Sequence, residues 1–418
     1  MLAVLRDSSG VVVDPAADTR YKEVATRTFI ENAGGMPSLV RAANGDLLFA
    51  YSTHWEPVPA GGVINLMRSG DEGATWTSPE PMILPKSQDW STHFWSGLHL
   101  MPDNSLMLSY AQAWFTRREN VPPGEQDPAK IYDLNGPKDV EMYVVRSLDH
   151  GTSWGAPTQL ASGLDWSYAM GKPLTVPDGS VLVPLWGPEP NGLASSASYL
   201  IRTTDNAQTW SDPELLAGGV VDFNEVSLGV AGTGDLIAIF RDGAYGPRRQ
   251  FRQSVSTDNG YHWSTPELID LFGKMPDILR TSTGELLMAV GSIDLMDGGL
   301  AFSAPPNSSF AGLFISDDDG ATWTRDVMLT TSDLSRLIPF DAPVLMELAN
   351  GHILAIALSV DTEYQNDPLL GWTRGMHYTI HELAPVGVPE PPAAGILCGG
   401  MVVVLAWTRS RKLLAGVE

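Results

Sequence analysis

The chain of 418 residues has one cysteine, Cys398. A single thiol forms no intramolecular disulfide and no cysteine-based zinc site. Positive charge is scarce: Lys and Arg number 26 against 49 Asp and Glu, a formal net charge of −23. A surface this acidic argues against a nucleic-acid partner, because phosphate binding needs a basic footprint. It favours solubility. No Gly-rich phosphate loop opens a helix, and no Ser-centred nucleophile elbow is present. Metal-ligand spacings are missing too. His377 and His381 stand four apart, but "HYTIH" alternates like a strand. "DDDG" at Asp317 to Gly320 lacks the alternating ligands and closing Glu of a calcium loop. No metal and no cofactor are expected.

What the sequence does have is a repeat. "SGDEGATW" (Ser69 to Trp76) returns as "SLDHGTSW", "TTDNAQTW", "STDNGYHW" and "SDDDGATW". The conserved frame places Asp71, Asp149, Asp205, Asp258 and Asp318 five residues before Trp76, Trp154, Trp210, Trp263 and Trp323. Each copy follows a short apolar or β-branched run and reads as a hairpin turn. The Asp accepts backbone N–H groups across the turn, and the Gly allows positive φ. The Trp buries its ring against the sheet. These Asp residues are expected to be structural. Ahead of each box lies a second strand–turn–strand pattern, such as "PSLVRAANGDLLFAYS" and "KPLTVPDGSVLVPLWG". A sixth, "APVLMELANGHILAIAL", has no box after it. Six four-stranded units predict an all-β, six-bladed β-propeller over residues 20–384. The early strand "EVATRTFIE" is expected to complete the last blade and close the ring.

The boxes resemble the Asp-boxes, or BNR repeats, of sialidases and their relatives. That resemblance implies a sugar-active superfamily, although reaction and fold are separate matters. It also implies a site. "FNEVSLGVAGTGDLIAIFRDG" resembles the fourth blade of catalytic sialidases, with Glu225 at the Asn-Glu motif and Arg241 closing the second strand. In that family the Glu helps to activate a tyrosine nucleophile, and the Arg is one of three that clamp the sialic acid carboxylate. The rest of the constellation departs from the pattern. Gly35 stands where the first-blade Arg belongs, "SAPPNSSF" supplies no Arg, and Ala342 stands in the tyrosine's place. Standard sialidase chemistry is therefore not expected.

Ligands of propellers sit at one end of the axis, so the segments leading into each first strand are candidate linings. They carry Glu31 and Asn32; Asp89, Trp90, His93 and Trp95; Asp165, Trp166, Tyr168 and Lys172; Asp222, Asn224 and Glu225; Lys274 and Asp277; Arg336 and Asp341. Aromatic faces beside carboxylates suit a carbohydrate ligand. Two readings stand. In the first, the protein is a glycoside hydrolase. Glu225 or Asp222 would act with Asp341 or Asp277 as acid and base, or acid and nucleophile. Arg241, His93, Trp95, Tyr168 and Lys172 would hold the sugar. In the second, it is a non-catalytic glycan-binding or adhesion propeller. A basic patch of Arg241, Arg248, Arg249 and Arg252 is either an acidic-sugar contact or a solvated strand edge.

The carboxyl end reads "VPEPPAAGILCGGMVVVLAWTRSRKLLAGVE". It divides into a Pro-rich linker (385–392), an apolar helix (393–408) and a basic tail (409–418). The order Pro-Glu-Pro, apolar run, basic cap is similar to the PEP-CTERM sorting signal of bacterial surface proteins. That resemblance implies export and a membrane partner, through the helix or its sorting machinery. The first segment, residues 1–19, shows no basic and apolar leader. Set beside the tail, this leads to the expectation that the native start lies upstream.

Overall fold

Runs of Leu, Ile, Val, Phe and Tyr between Asn-Gly, Asp-Gly and Thr-Gly turns build strands, because branched and aromatic side chains pack well on a pleated surface. The computed structural model describes residues 20–31, 35–53, 62–87, 90–93, 97–114, 140–243, 250–294, 309–329, 340–360 and 376–386. Strand β1 (Tyr21–Glu31) precedes the first blade. Blade one is β2 (Pro37–Arg41), β3 (Leu47–Ser52), β4 (Ile64–Ser69) and β5 (Glu80–Ile83). Blade two splits its inner strand into β6 (Trp90–His93) and β7 (Leu98–Leu100), followed by β8 (Leu106–Trp114), β9 (Val140–Ser147) and β10 (Thr158–Leu160). Blade three does the same with β11 (Tyr168–Ala169) and β12 (Leu174–Thr175), then β13 (Val181–Gly187), β14 (Ala197–Thr203) and β15 (Glu214–Ala217). Blade four holds β16 (Phe223–Val230), β17 (Leu236–Asp242), β18 (Gln250–Ser256) and β19 (Glu267–Phe272). Blade five holds β20 (Lys274–Arg280), β21 (Leu286–Asp294), β22 (Ser309–Ser316) and β23 (Thr324–Leu329). Blade six holds β24 (Phe340–Glu347), β25 (Ile353–Val360) and β26 (Met376–Pro385), and β1 is its fourth strand.

The expected closure is therefore present. β1 pairs antiparallel with β26, from Tyr21 opposite Pro385 to Glu31 opposite His377. Val386 N–H donates to the Arg20 carbonyl at 2.6 Å, so the two ends of the propeller lie side by side. This also explains why there are five boxes for six blades. A box is the hairpin between third and fourth strands, and in blade six those strands come from opposite ends of the chain. Tyr21 of β1 is buried instead among side chains of blades five and six, with its hydroxyl donating to Glu285 at 3.0 Å.

Inside each box the predicted contacts are made. Asp71 accepts Thr75 N–H at 2.8 Å and the Thr75 hydroxyl at 2.6 Å, and three other boxes repeat the pair, while in the fourth Asp258 pairs with His262 N–H and the His262 Nδ1. These hydrogen bonds, side-chain donors foremost, hold Asp71, Asp149, Asp205 and Asp258 down to about 2, and lower Asp318 as well. One expectation is corrected. The box Trp does not lie on its own sheet alone. It packs into the apolar layer shared with the preceding blade: Trp76 with blades six and one, Trp154 with one and two, Trp210 with two and three. Trp263 and Trp323 continue the series.

The box is thus a socket between blades. Its carbonyls accept arms from the previous blade: Arg68 to His150 at 2.8 Å, Arg202 to Asn259 at 2.7 Å, Gln253 to Gly320 at 2.9 Å, and Arg27 to Gly73. Its glycine leaves room for that blade's second strand. Gly320 has φ +89°, and a Cβ there would fall 2.5 Å from Ile237 Cδ1. Gly320→Ala is expected to lower stability by about 2 kcal/mol, mostly through left-handed backbone strain. Blade three already has Ala207 in this position at φ +64°, and Ala207→Gly is expected to raise stability slightly. Calorimetric melting of the two variants checks both signs.

Among the described residues no helix is long and apolar enough to cross a membrane. The N-terminal segment, most of the linker, the apolar helix and the basic tail lie outside the described residues.

Candidate functional site

The inner strands of blades four, five and six each break register at the same point. The breaks fall between Asn224 and Ser227, Lys274 and Asp277, and Asp341 and Val344. At each break one non-glycine residue is left-handed: Glu225 (φ +46°), Met275 (φ +48°) and Ala342 (φ +44°). Such a conformation costs about 1–2 kcal/mol per residue, and bulges of this kind re-aim side chains next to sites. With Met36, Pro37, Met170 and Gly171 from blades one and three, these segments line a cavity of about 30 Å³. That is room for a water molecule. Its lining is apolar apart from Glu225.

Glu225 is buried. Its Oε2 accepts Met275 N–H at 3.0 Å and lies 2.6 Å from Arg241 Nε. The Arg241 contact lacks hydrogen-bond alignment, so it is Coulombic. Buried beside a guanidinium, the carboxylate is compensated rather than stranded. Asn224, opposite Arg241 in register, has a buried Oδ1 without a partner among the described residues. The structure thus brings together Glu225 and Arg241, the two residues that the sequence singled out in blade four.

The other candidates go elsewhere. Asp222 turns to the neighbouring blade, where its Oδ1 accepts Ser196 N–H at 2.8 Å and the Ser196 hydroxyl at 3.2 Å. Asp277 is buried and accepts Leu345 N–H at 2.7 Å from the next inner strand. This is a recurrent clasp: Ser38 accepts Leu98 N–H at 2.9 Å, and Ser227 accepts Ile278 N–H at 3.0 Å. Burial raises the Asp277 carboxyl above the ordinary range, while Lys172 and the Leu345 N–H pull it back. Lys172 reaches from blade three to Asp277 of blade five at 3.7 Å and to the Leu345 carbonyl of blade six at 3.5 Å. Lys172 is therefore an axial tie here. Arg252 pairs with Asp242 at 2.9 Å.

Tyr168 is buried against Trp186 at 5.9 Å between ring centroids. His93 lies on β6 opposite Ala111, and Asp341 on β24 opposite Leu358. Their side chains, like Trp95, Arg248, Arg249 and Arg336, lie outside the described residues. Two features went unread in the sequence. His99 bonds Thr175 Oγ1 at 2.8 Å and is pushed down to about 4, by burial first and then by Lys172. Trp186 occupies the blade-three position that Arg241 holds in blade four, which the repeat alignment alone would have shown. Among the described residues no group of three or more His, Cys, Asp or Glu is placed to hold a metal.

Comparison with known proteins follows the architecture. Residues 98–378 match the BNR repeat-like domain family. No curated protein matches the chain. A crystal structure of a Dyadobacter fermentans protein of unknown function aligns with TM-score 0.67 at 18% identity, over 88% of this chain and 99% of that one. The Ruminococcus gnavus intramolecular trans-sialidase aligns at 0.58 and 13%, over 86% and 97%. The Trypanosoma rangeli sialidase aligns at 0.59 and 14%, covering 86% of this chain but 58% of that one. At such identities the likeness is one of fold.

Proposed function

The chain belongs to the BNR repeat-like domain family, and on that premise we propose that it is a glycan-active propeller working at its axial mouth. The reading is a glycoside hydrolase for a sugar other than sialic acid. One observation carries it: a buried glutamate, Glu225, lines the central cavity on strained backbone beside Arg241.

The chemistry follows from the surroundings. Glu225, set against the Arg241 guanidinium, is assigned the role of base or nucleophile and its partner that of acid. Two carboxyl groups are needed. Asp222 and Asp277 do not line the cavity that Glu225 lines, whereas Asp341 directly precedes the lining residue Ala342, so Asp341 of blade six is the partner in this proposal. As base, Glu225 takes a proton from water while the water oxygen attacks the anomeric carbon. The glycosidic C–O bond breaks, and the Asp341 carboxyl gives its proton to the leaving oxygen. A sialic acid substrate is disfavoured, because Gly35 replaces an arginine and each lost charge-assisted bond forfeits roughly 1.5–3 kcal/mol. Ala342 leaves no tyrosine nucleophile at its position.

The absence of that tyrosine also favours the second reading, a non-catalytic glycan-binding propeller. Display at the cell surface through residues 393–418 belongs to the same proposal and is supported by the order of the tail sequence. The test is a hydrolysis screen of aryl glycosides, an α-sialoside included, with Glu225→Gln alongside. Turnover of one neutral glycoside is expected, falling at least about a hundredfold in the variant. Undiminished turnover in Glu225→Gln rejects the assignment, and silence across the panel supports the binding module.

A further inference from the structure

Six second strands begin directly after the same kind of turn, so their sixth residues are equivalent. They are Ser52, Ala111, Trp186, Arg241, Gly291 and Leu358. Register supports the match, since Trp186 stands opposite Tyr168 and Arg241 opposite Asn224 at the starts of their inner strands. Four of the six are small or aliphatic. The two with chemistry to offer are in adjacent blades, three and four. Among these six positions the chemistry is therefore one-sided.

On that side stands an aromatic cluster. Trp166 and Trp186 meet edge to face at 4.8 Å and 77°, and Tyr168 lies 6.3 Å from Trp166. Tyr168 is buried, and both indoles are partly buried, each keeping some surface in solvent. Neither indole joins the apolar layers between blades, where the box tryptophans go. Trp186 Nε1 is buried with no hydrogen-bond partner among the described residues. An indole that keeps part of its surface in solvent offers an apolar face.

We propose that Trp166 and Trp186 form a stacking platform for a neutral pyranose, placing its polar edge toward the Glu225–Arg241 pair. The platform takes the C–H face of the ring. This rests on the reading of the mouth as a glycan site, and it names the substrate class: uncharged sugars rather than sialic acids.

The full-length protein is first screened on an array of neutral and sialylated oligosaccharides. The best-bound neutral glycan is then titrated calorimetrically against wild type, Trp186→Ala, Trp186→Phe and Trp166→Ala, with melting curves for each. Trp186→Ala and Trp166→Ala are expected to weaken binding by about tenfold or more with folding retained, and Trp186→Phe to recover most of it. If Trp186→Ala melts early, the folded Trp186→Phe and Trp166→Ala proteins decide. Unchanged affinity in the folded tryptophan variants overturns the platform and leaves the glycan reading intact. Binding of sialylated glycans alone overturns the neutral class. A wild type that binds no glycan overturns both.

Discussion

Replacement of Asp277 by Ala is expected to destabilise the propeller by about 3–5 kcal/mol. The carboxylate is buried, accepts Leu345 N–H and faces Lys172. Truncation leaves a buried donor and an ammonium without their partner at once. The sister positions show how to separate architecture from chemistry, because Ser38 and Ser227 make the same clasp with a hydroxyl. Asp277→Ser should regain about half of the loss, and Asp277→Ser with Lys172→Met more. Denaturant unfolding measures these differences. An Asp277→Ala protein as stable as wild type would remove the clasp from the account. A stable Asp277→Ser protein that has lost an established activity would return Asp277 to the list of catalytic candidates.

The larger effect belongs to β1. A chain beginning after residue 31 should show no cooperative thermal transition and should aggregate. β26 would become an open edge, which invites pairing with other chains. Tyr21 would leave the layer between blades five and six, and Phe29 and Ile30 the layer between six and one. Burying such side chains is worth roughly 1.5–3 kcal/mol each when complete, against a total stability of about 5–15 kcal/mol. A peptide of residues 20–31 added in trans should restore part of the transition. Differential scanning calorimetry with light scattering reads both results, and a soluble, cooperatively melting deletion would mean that five blades and a partial sixth suffice.

The fold was legible because its signals are local. Asp71 finds Thr75, and Asp258 finds His262, within five residues of chain. Such contacts survive in sequence as a spelled motif, and five spellings fix the architecture. The sixth blade was legible by what it lacked. The partners of the site were less so. Glu225 and Arg241 could be read because they face each other on one hairpin, β16 to β17. Asp277 could not be assigned, since its donor Leu345 lies 68 residues away on another blade. The positive φ of Glu225, Met275 and Ala342 was also invisible. A left-handed non-glycine residue is imposed by packing around it, not by its own preference. The box tryptophans were expected to pack on the sheet and are partly buried, but a motif does not say which sheets they pack between.

The position of β26 bears on how the molecule carries load. It is not an edge strand: β1 lies on one side of it and β25 on the other. Its ladders run from Tyr21–Pro385 to Glu31–His377 and from Ile353–Leu383 to Val360–Met376. A pull at residue 386 therefore enters the protein through a strand gripped on both flanks. Drawing β26 out lengthwise shears two ladders together, whereas an outermost strand pulled the same way would shear only one. The first strand of the propeller is thus a mechanical lock on the last.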